Sequence, residues 1–150
     1  MKNILFVCTG NSCRSVIAEG LLRYMTKGSE HEFSVGSAGV SALDGYQATQ
    51  STVRAMQEAG IDVLGHRSRR LTQEMVNAAD KIFVMENMHK MMVLDAAPGA
   101  CGKVHLLKEF ASEKGAADMD IPDPIRMSDA FYRKVLLEIR DCVVNIIQSL

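Results

Sequence analysis

The sequence predicts an α/β fold: one three-layer domain over 1–150, with a four-stranded parallel sheet and helices on both of its faces. Three observations lead there. Short apolar runs alternate along the chain with segments whose hydrophobic residues recur at helical spacing. The connections between successive runs are long enough to hold crossover helices, so the strands pair in parallel as βαβ units. Finally, 150 residues with 47% hydrophobic and 23% charged residues can bury one core without disulfide staples, and no linker, repeat or low-complexity tract divides them.

The first run, 3–8, reads Asn3-Ile4-Leu5-Phe6-Val7-Cys8 and is a short buried strand. Its approach through Met1 and Lys2 superficially resembles a signal peptide. The apolar stretch ends at Val7, however, and meets Thr9-Gly10-Asn11-Ser12, far short of a signal core or a membrane span. The cytoplasm is the expected location. Over 14–26, Val16, Ile17, Leu21, Leu22 and Met25 fall at helical spacing. A second strand is expected over 33–40, ending in Ser37-Ala38-Gly39. Val53, Met56 and Ala59 predict a helix over 47–59, with Gly60 as its stop. Thr72 opens a short helix reaching Ala79, and Lys81-Ile82-Phe83-Val84-Met85 is a third strand. A helix over 87–96 is ended by Pro98-Gly99, and 103–107 is the fourth strand. A polar stretch containing Ile121-Pro122-Asp123-Pro124 then leads to a long helix over 129–147.

Seventeen basic and 18 acidic residues leave a formal charge of −1, which excludes a chain-wide electrostatic partner such as nucleic acid or an anionic membrane. There is no Walker-type or G-x-G-x-x-G loop to hold a nucleotide. The histidines His31, His66, His89 and His105 lack ligand spacing, so no metal and no cofactor are expected. The cysteines Cys8, Cys13, Cys101 and Cys142 include no C-x-x-C pair and read as reduced thiols, with Cys101 and Cys142 structural.

In parallel α/β sheets ligands bind beyond the carboxyl ends of the strands, and the first strand ends at Cys8. The loop Cys8-Thr9-Gly10-Asn11-Ser12-Cys13-Arg14-Ser15 joins that strand to a helix N-terminus. A loop of this length can wrap its N–H groups around a tetrahedral anion, with the helix dipole adding to the field. Gly10 and Asn11 tolerate the positive φ that such a nest requires. Arg14 offers a planar charged fork for two phosphate oxygens. Cys8 lies at the base, where the donors that hold a dianion also favour a thiolate, and Ser15 has a hydroxyl to give to it. An arginine six positions after a cysteine is weak evidence alone; the preceding strand, the loop residues and the following helix pattern make it specific.

These residues resemble the phosphate loop of the low-molecular-weight protein-tyrosine-phosphatase family. The resemblance spans the chain, through Ser37-Ala38-Gly39, Gly65-His66-Arg67-Ser68, Ala79-Asp80 and Asp123-Pro124. Val16 departs from it, because many members have proline there. The resemblance implies a single phosphatase domain that uses no metal. Cys8 is then the nucleophile, Arg14 the phosphate clamp and Asp123 the general acid and base, while residues 9–15 bind the phosphate. It also implies a phosphorylated protein as substrate, inorganic phosphate as product, and Cys13 as a redox partner that protects Cys8. Asp118 and Asp120 are alternative acids without the Asp-Pro context.

Substrate choice within the family is divided. Ser12 leans towards the phosphoarginine branch, whereas Leu43, near a pocket wall, leans towards phosphotyrosine. Ile125 stands where an aromatic residue is frequent, and Tyr46 and Tyr132 are candidate aromatic surfaces. Phosphotyrosine is the favoured reading, with phosphoarginine the alternative. Arsenate reduction would require cysteines after the third strand, and 80–97 has none. A phosphopeptide-binding module would not need both a nucleophile and an acid.

Overall fold

The computed structural model describes residues 2–30 and 33–150; His31 lies outside them. Four parallel strands, β1 (Lys2–Cys8), β2 (Phe33–Gly39), β3 (Lys81–Val84) and β4 (Val104–Leu106), are ordered β2-β1-β3-β4. The helices are α1 (Arg14–Thr26), α2 (Gln50–Glu58), α3 (Gln73–Ala78), α4 (Asn87–Ala96) and α5 (Asp129–Ser149). The three-layer architecture is as expected. β1 is central, with Lys2 to Cys8 in register with Phe33 to Gly39, and Ile4 to Val7 with Lys81 to Val84.

Strand alternation sorts β1 between two cores. Ile4, Phe6 and Cys8 pack with Leu21 and Leu22 of α1, Met56 of α2 and Ile139 and Val143 of α5. Leu5 and Val7 face the other layer, with Val76 of α3 and Val93 of α4. Cys8 therefore faces the layer that contains α1, whose N-terminus lies just beyond the strand end. Among the described residues no helix is long and apolar enough to cross a membrane.

Three element boundaries move for physical reasons. Helix α2 starts at Gln50, three residues later than its periodicity predicts, because residues before it are bonded elsewhere. Thr49 is extended and caps α2 through its hydroxyl, and its N–H donates to the Ser12 carbonyl at 3.2 Å. Strand β4 is shortened by 3-10 turns at Pro98–Lys103 and Leu107–Phe110, which take up both of its expected ends. Met85 leaves β3, although its N–H still reaches Val7 O at 3.1 Å, and its carbonyl accepts the Ile121 N–H at 2.8 Å. That last bond draws the distant 121–124 segment to the carboxyl end of the sheet. Cys101 is exposed rather than structural, because the Pro98–Lys103 turn presents it to solvent.

Gly39, at the end of β2, lies against the loop after β1. A β-carbon there would meet the Thr9 carbonyl oxygen at 2.5 Å and the Asn11 nitrogen at 2.9 Å, and backbone cannot move aside cheaply. Gly39→Ala is expected to destabilise the fold by about 1–3 kcal/mol. Urea unfolding of the purified variant checks the effect.

Candidate active site

Residues 9–13 form the turn between β1 and α1. Asn11 is its pivot. It is left-handed, with φ of 54°, and fully buried. Its Nδ2 donates to Ser15 Oγ at 2.8 Å and to Ser37 Oγ at 2.9 Å. Its Oδ1 accepts the Arg69 N–H at 3.0 Å, and its carbonyl accepts from His66 Nε2 at 2.8 Å. Gly10, the other candidate for positive φ, does not adopt it. Asparagine suits the pivot because its short amide side chain tolerates the left-handed region and can satisfy donors and acceptors at once.

Ser15 is fully buried, with Oγ 2.9 Å from Cys8 Sγ. Since Ser15 Oγ accepts from Asn11, its own proton is directed to the sulfur. Cys8 is buried at the base of the turn, below the N-terminus of α1. Cys13 precedes α1, and its Sγ lies 3.4 Å from Tyr132 Oη and 3.6 Å from Thr49 Oγ1.

Arg14 is almost wholly buried, and its charge is compensated inside the protein. Nη1 donates to Glu86 Oε2 at 2.6 Å and to the Ile121 carbonyl at 2.7 Å, while Nη2 lies 3.8 Å from Asp123 Oδ2. Sequence reasoning assigned Arg14 to phosphate alone; the structure commits one edge of its fork to holding the fork still. Glu86 was missed, although it lies two residues past the carboxyl end of β3, where α/β ligand sites lie. Asp123 is exposed, and its Oδ1 accepts the Ile125 N–H at 3.1 Å, a turn that fixes the carboxylate. The two alternative acids are engaged elsewhere. Asp120 accepts the Asn87 N–H at 2.8 Å, and Asp118 accepts the Asp120 N–H at 2.9 Å.

Leu43 and Ile125 are exposed, 67% and 49%. Ser68 holds the Leu43 loop: its hydroxyl donates to the Leu43 carbonyl at 2.5 Å and accepts the Tyr46 N–H at 3.0 Å. The Gly65-His66-Arg67-Ser68 segment thus anchors two loops at once. Tyr46 is exposed, but Tyr132 is not an aromatic surface. It is buried, and burial followed by its bond to Cys13 pushes its hydroxyl up to about 12.

His89 on α4 is fully buried against the turn, with Nε2 2.8 Å from Thr9 Oγ1 and Nδ1 accepting the Glu86 N–H at 3.1 Å. Burial, reinforced by the Arg14 charge, pulls its pKa from 6.5 to about 4 against the opposing pull of Glu86, Asp120 and Asp123. Because the folded pKa lies below the unfolded one, the unfolded chain takes up the proton first as pH falls. Native stability is unaffected above about 6.5, declines between that value and about 4, and gains no further loss from this residue below it. The decline is expected to reach roughly 3 kcal/mol. Urea midpoints measured across this pH range should fall more steeply for the wild type than for His89→Gln.

A model of the low molecular weight phosphotyrosine protein phosphatase family matches residues 3–150. The low molecular weight protein-tyrosine-phosphatase Etp of Escherichia coli K12 is 40% identical over 131 residues, which are 87% of this chain and 82% of that protein. A protein-arginine-phosphatase of Geobacillus stearothermophilus is 36% identical over 148 residues, 98% of this chain and 95% of its own. The crystal structure of the low molecular weight protein tyrosine phosphatase of T. tengcongensis aligns with a TM-score of 0.91 at 33% identity, covering 100% of both chains. With the Cys8–Ser15 turn at the head of a match that runs almost from end to end, this chain belongs to the low molecular weight phosphotyrosine protein phosphatase family.

Proposed function

We propose that this protein is a phosphoric monoester hydrolase that removes phosphate from phosphotyrosine in protein substrates. The observation that carries the reading is the convergence at Arg14. The arginine that closes the Cys8 turn reaches across to within 3.8 Å of Asp123, which belongs to a loop far away in sequence. In this reading Cys8, Arg14 and Asp123 act together as nucleophile, guanidinium clamp and proton donor.

Phosphate oxygens bind the turn N–H groups of residues 9–15 and the free edge of Arg14, which together stabilise the charge spread over the equatorial oxygens. The Cys8 thiolate attacks phosphorus in line as the bond to the leaving oxygen breaks, and Asp123 gives that oxygen its proton. Water then attacks the cysteinyl-phosphate. Asp123 takes the water's proton, Cys8 leaves as thiolate, and inorganic phosphate is released. A cytoplasmic location fits this chemistry, since Cys8 must stay reduced.

Phosphotyrosine is favoured over phosphoarginine by the walls of the site. Leu43 and Ile125 present exposed apolar surface suited to a phenyl ring, and Tyr46 lies on the Leu43 loop. The specific support for phosphoarginine is Ser12, whose hydroxyl among the described residues makes only a 3.7 Å contact with Cys13 Sγ and can turn towards a guanidinium. Phosphotyrosyl peptides are expected to be hydrolysed faster than phosphoarginyl peptides by the same preparation; the reverse order would transfer the assignment to arginine.

With an aryl phosphate, Cys8→Ser is expected to abolish turnover, and Asp123→Ala to slow it by on the order of a hundredfold or more. The Asp123 variant should accumulate phosphocysteine, detected by mass. Cys8→Ser protein that turns over at the wild-type rate would refute the mechanism.

Cys13 is proposed as the redox partner of Cys8. Peroxide converts the Cys8 thiolate to a sulfenic acid, and the Cys13 thiol displaces water from it to form a disulfide. Cys13 Sγ must first leave Tyr132 and Thr49. Peptide mapping after mild peroxide should find Cys8 joined to Cys13, whereas sulfonic acid at Cys8 alone would reject the pairing.

A further inference from the structure

His89 is tied to both sides of the site, and its bonds dictate its tautomer. A backbone N–H can only donate, so the 3.1 Å bond from Glu86 makes Nδ1 an acceptor without a proton. The ring is neutral down to about 4, so at neutral pH the single ring proton is on Nε2. That nitrogen lies 2.8 Å from Thr9 Oγ1 and must donate to it. Thr9 Oγ1 has no other hydrogen-bond partner among the described residues. One of its two lone pairs is taken by the histidine, and its own proton has no protein acceptor among the described residues. Thr9 is the first residue after Cys8 and is only partly buried, so its hydroxyl is not sealed off from a group bound above the turn.

From this geometry we infer that His89 is a positioning residue: held as the Nε2–H tautomer, it makes the Thr9 hydroxyl a committed donor to an oxygen of the phosphoryl group bound over Cys8. The inference rests on the phosphatase reading and extends its set of donors from the turn backbone and Arg14 to one side chain. No proton is transferred; the relay only fixes which way each one points. In the absence of His89 the Thr9 hydroxyl rotates freely, and its donation is shared with solvent. The same imidazole holds the Glu86 N–H, so one neutral ring sets both a donor to the substrate and the backbone of the residue that clamps Arg14.

The test uses the full-length protein, an aryl phosphate as substrate and inorganic phosphate as ligand. Thr9→Val and His89→Leu are each expected to lower kcat/KM and to weaken competitive inhibition by phosphate roughly tenfold, as loss of one hydrogen bond to a charged group implies. The double variant should be no worse than Thr9→Val alone, because the histidine acts on phosphate through the Thr9 hydroxyl that this substitution already removes. Thr9→Ser, which keeps the hydroxyl, and His89→Gln, whose amide can still donate to it, should recover most of the loss.

Unchanged phosphate inhibition in Thr9→Val, or losses that multiply in the double variant, would overturn the relay. So would a His89→Leu protein that loses Tm but keeps wild-type phosphate affinity, since that is a structural role only. Thr9 is not a core position, so its two variants decide the question even where His89→Leu does not fold. Phosphate affinity is also read from the rise in Tm with added phosphate. A wild type that binds phosphate but hydrolyses no aryl phosphate would thus refute the phosphatase reading while the Thr9 pair still decides the relay.

Discussion

The left-handed backbone of Asn11 is the constraint on which the rest of the site depends. A chain leaving a buried parallel strand must turn sharply to enter a helix, and a turn that encloses an anion needs a residue beyond the ordinary φ range. Asn11 meets that need with φ of 54° and is held there by bonds to Ser15, Ser37, Arg69 and His66. These partners come from α1, β2 and the segment before α3, so the turn is braced from three directions at once. Ser15 receives the Asn11 amide and passes its proton towards Cys8, so the pivot also orders the environment of the nucleophile.

A second constraint is electrostatic. Arg14 is buried, and an uncompensated guanidinium there would cost several kcal/mol of desolvation. Glu86 and the Ile121 carbonyl compensate it and at the same time fix its plane. The Ile121 N–H is in turn held by Met85, so the end of β3, the start of α4 and the Asp123 loop are joined around Arg14. Such pre-orientation is what electrostatic catalysis requires, because dipoles already in place need no reorganisation when charge develops. The neutral ring of His89 belongs to the same arrangement, since a charged imidazole there would be repelled by the Arg14 guanidinium.

Much of this was legible in the sequence, and the exceptions share a cause. The strand before Cys8, the helix after Cys13 and the alternation of later elements are local patterns, and α1 and α4 start and stop where periodicity places them. The Cys8–Ser15 motif and Asp123-Pro124 were visible because adjacent residues carry them. Helix α2 was extended too far because Thr49 and Thr52 are recruited by the Ser12 carbonyl, an acceptor distant in sequence. Tyr132 read as a possible pocket surface because helical spacing does not reveal what lies across from a residue; its hydroxyl is buried against Cys13 and Thr49.

The sequence by itself determined the fold class and the positions of the strand–turn–helix motif, the candidate nucleophile and the candidate acid, since each depends on neighbours within a few residues or on a periodic pattern. Only the tertiary structure decided which partners make them work. Glu86 beside Arg14, His89 beside Thr9 and Ser68 beneath the Leu43 loop are pairings between segments that meet only when β1 is flanked by β2 and β3. A hydrogen bond is satisfied by whatever donor or acceptor the packed chain brings near, and spacing along the sequence carries no record of that choice.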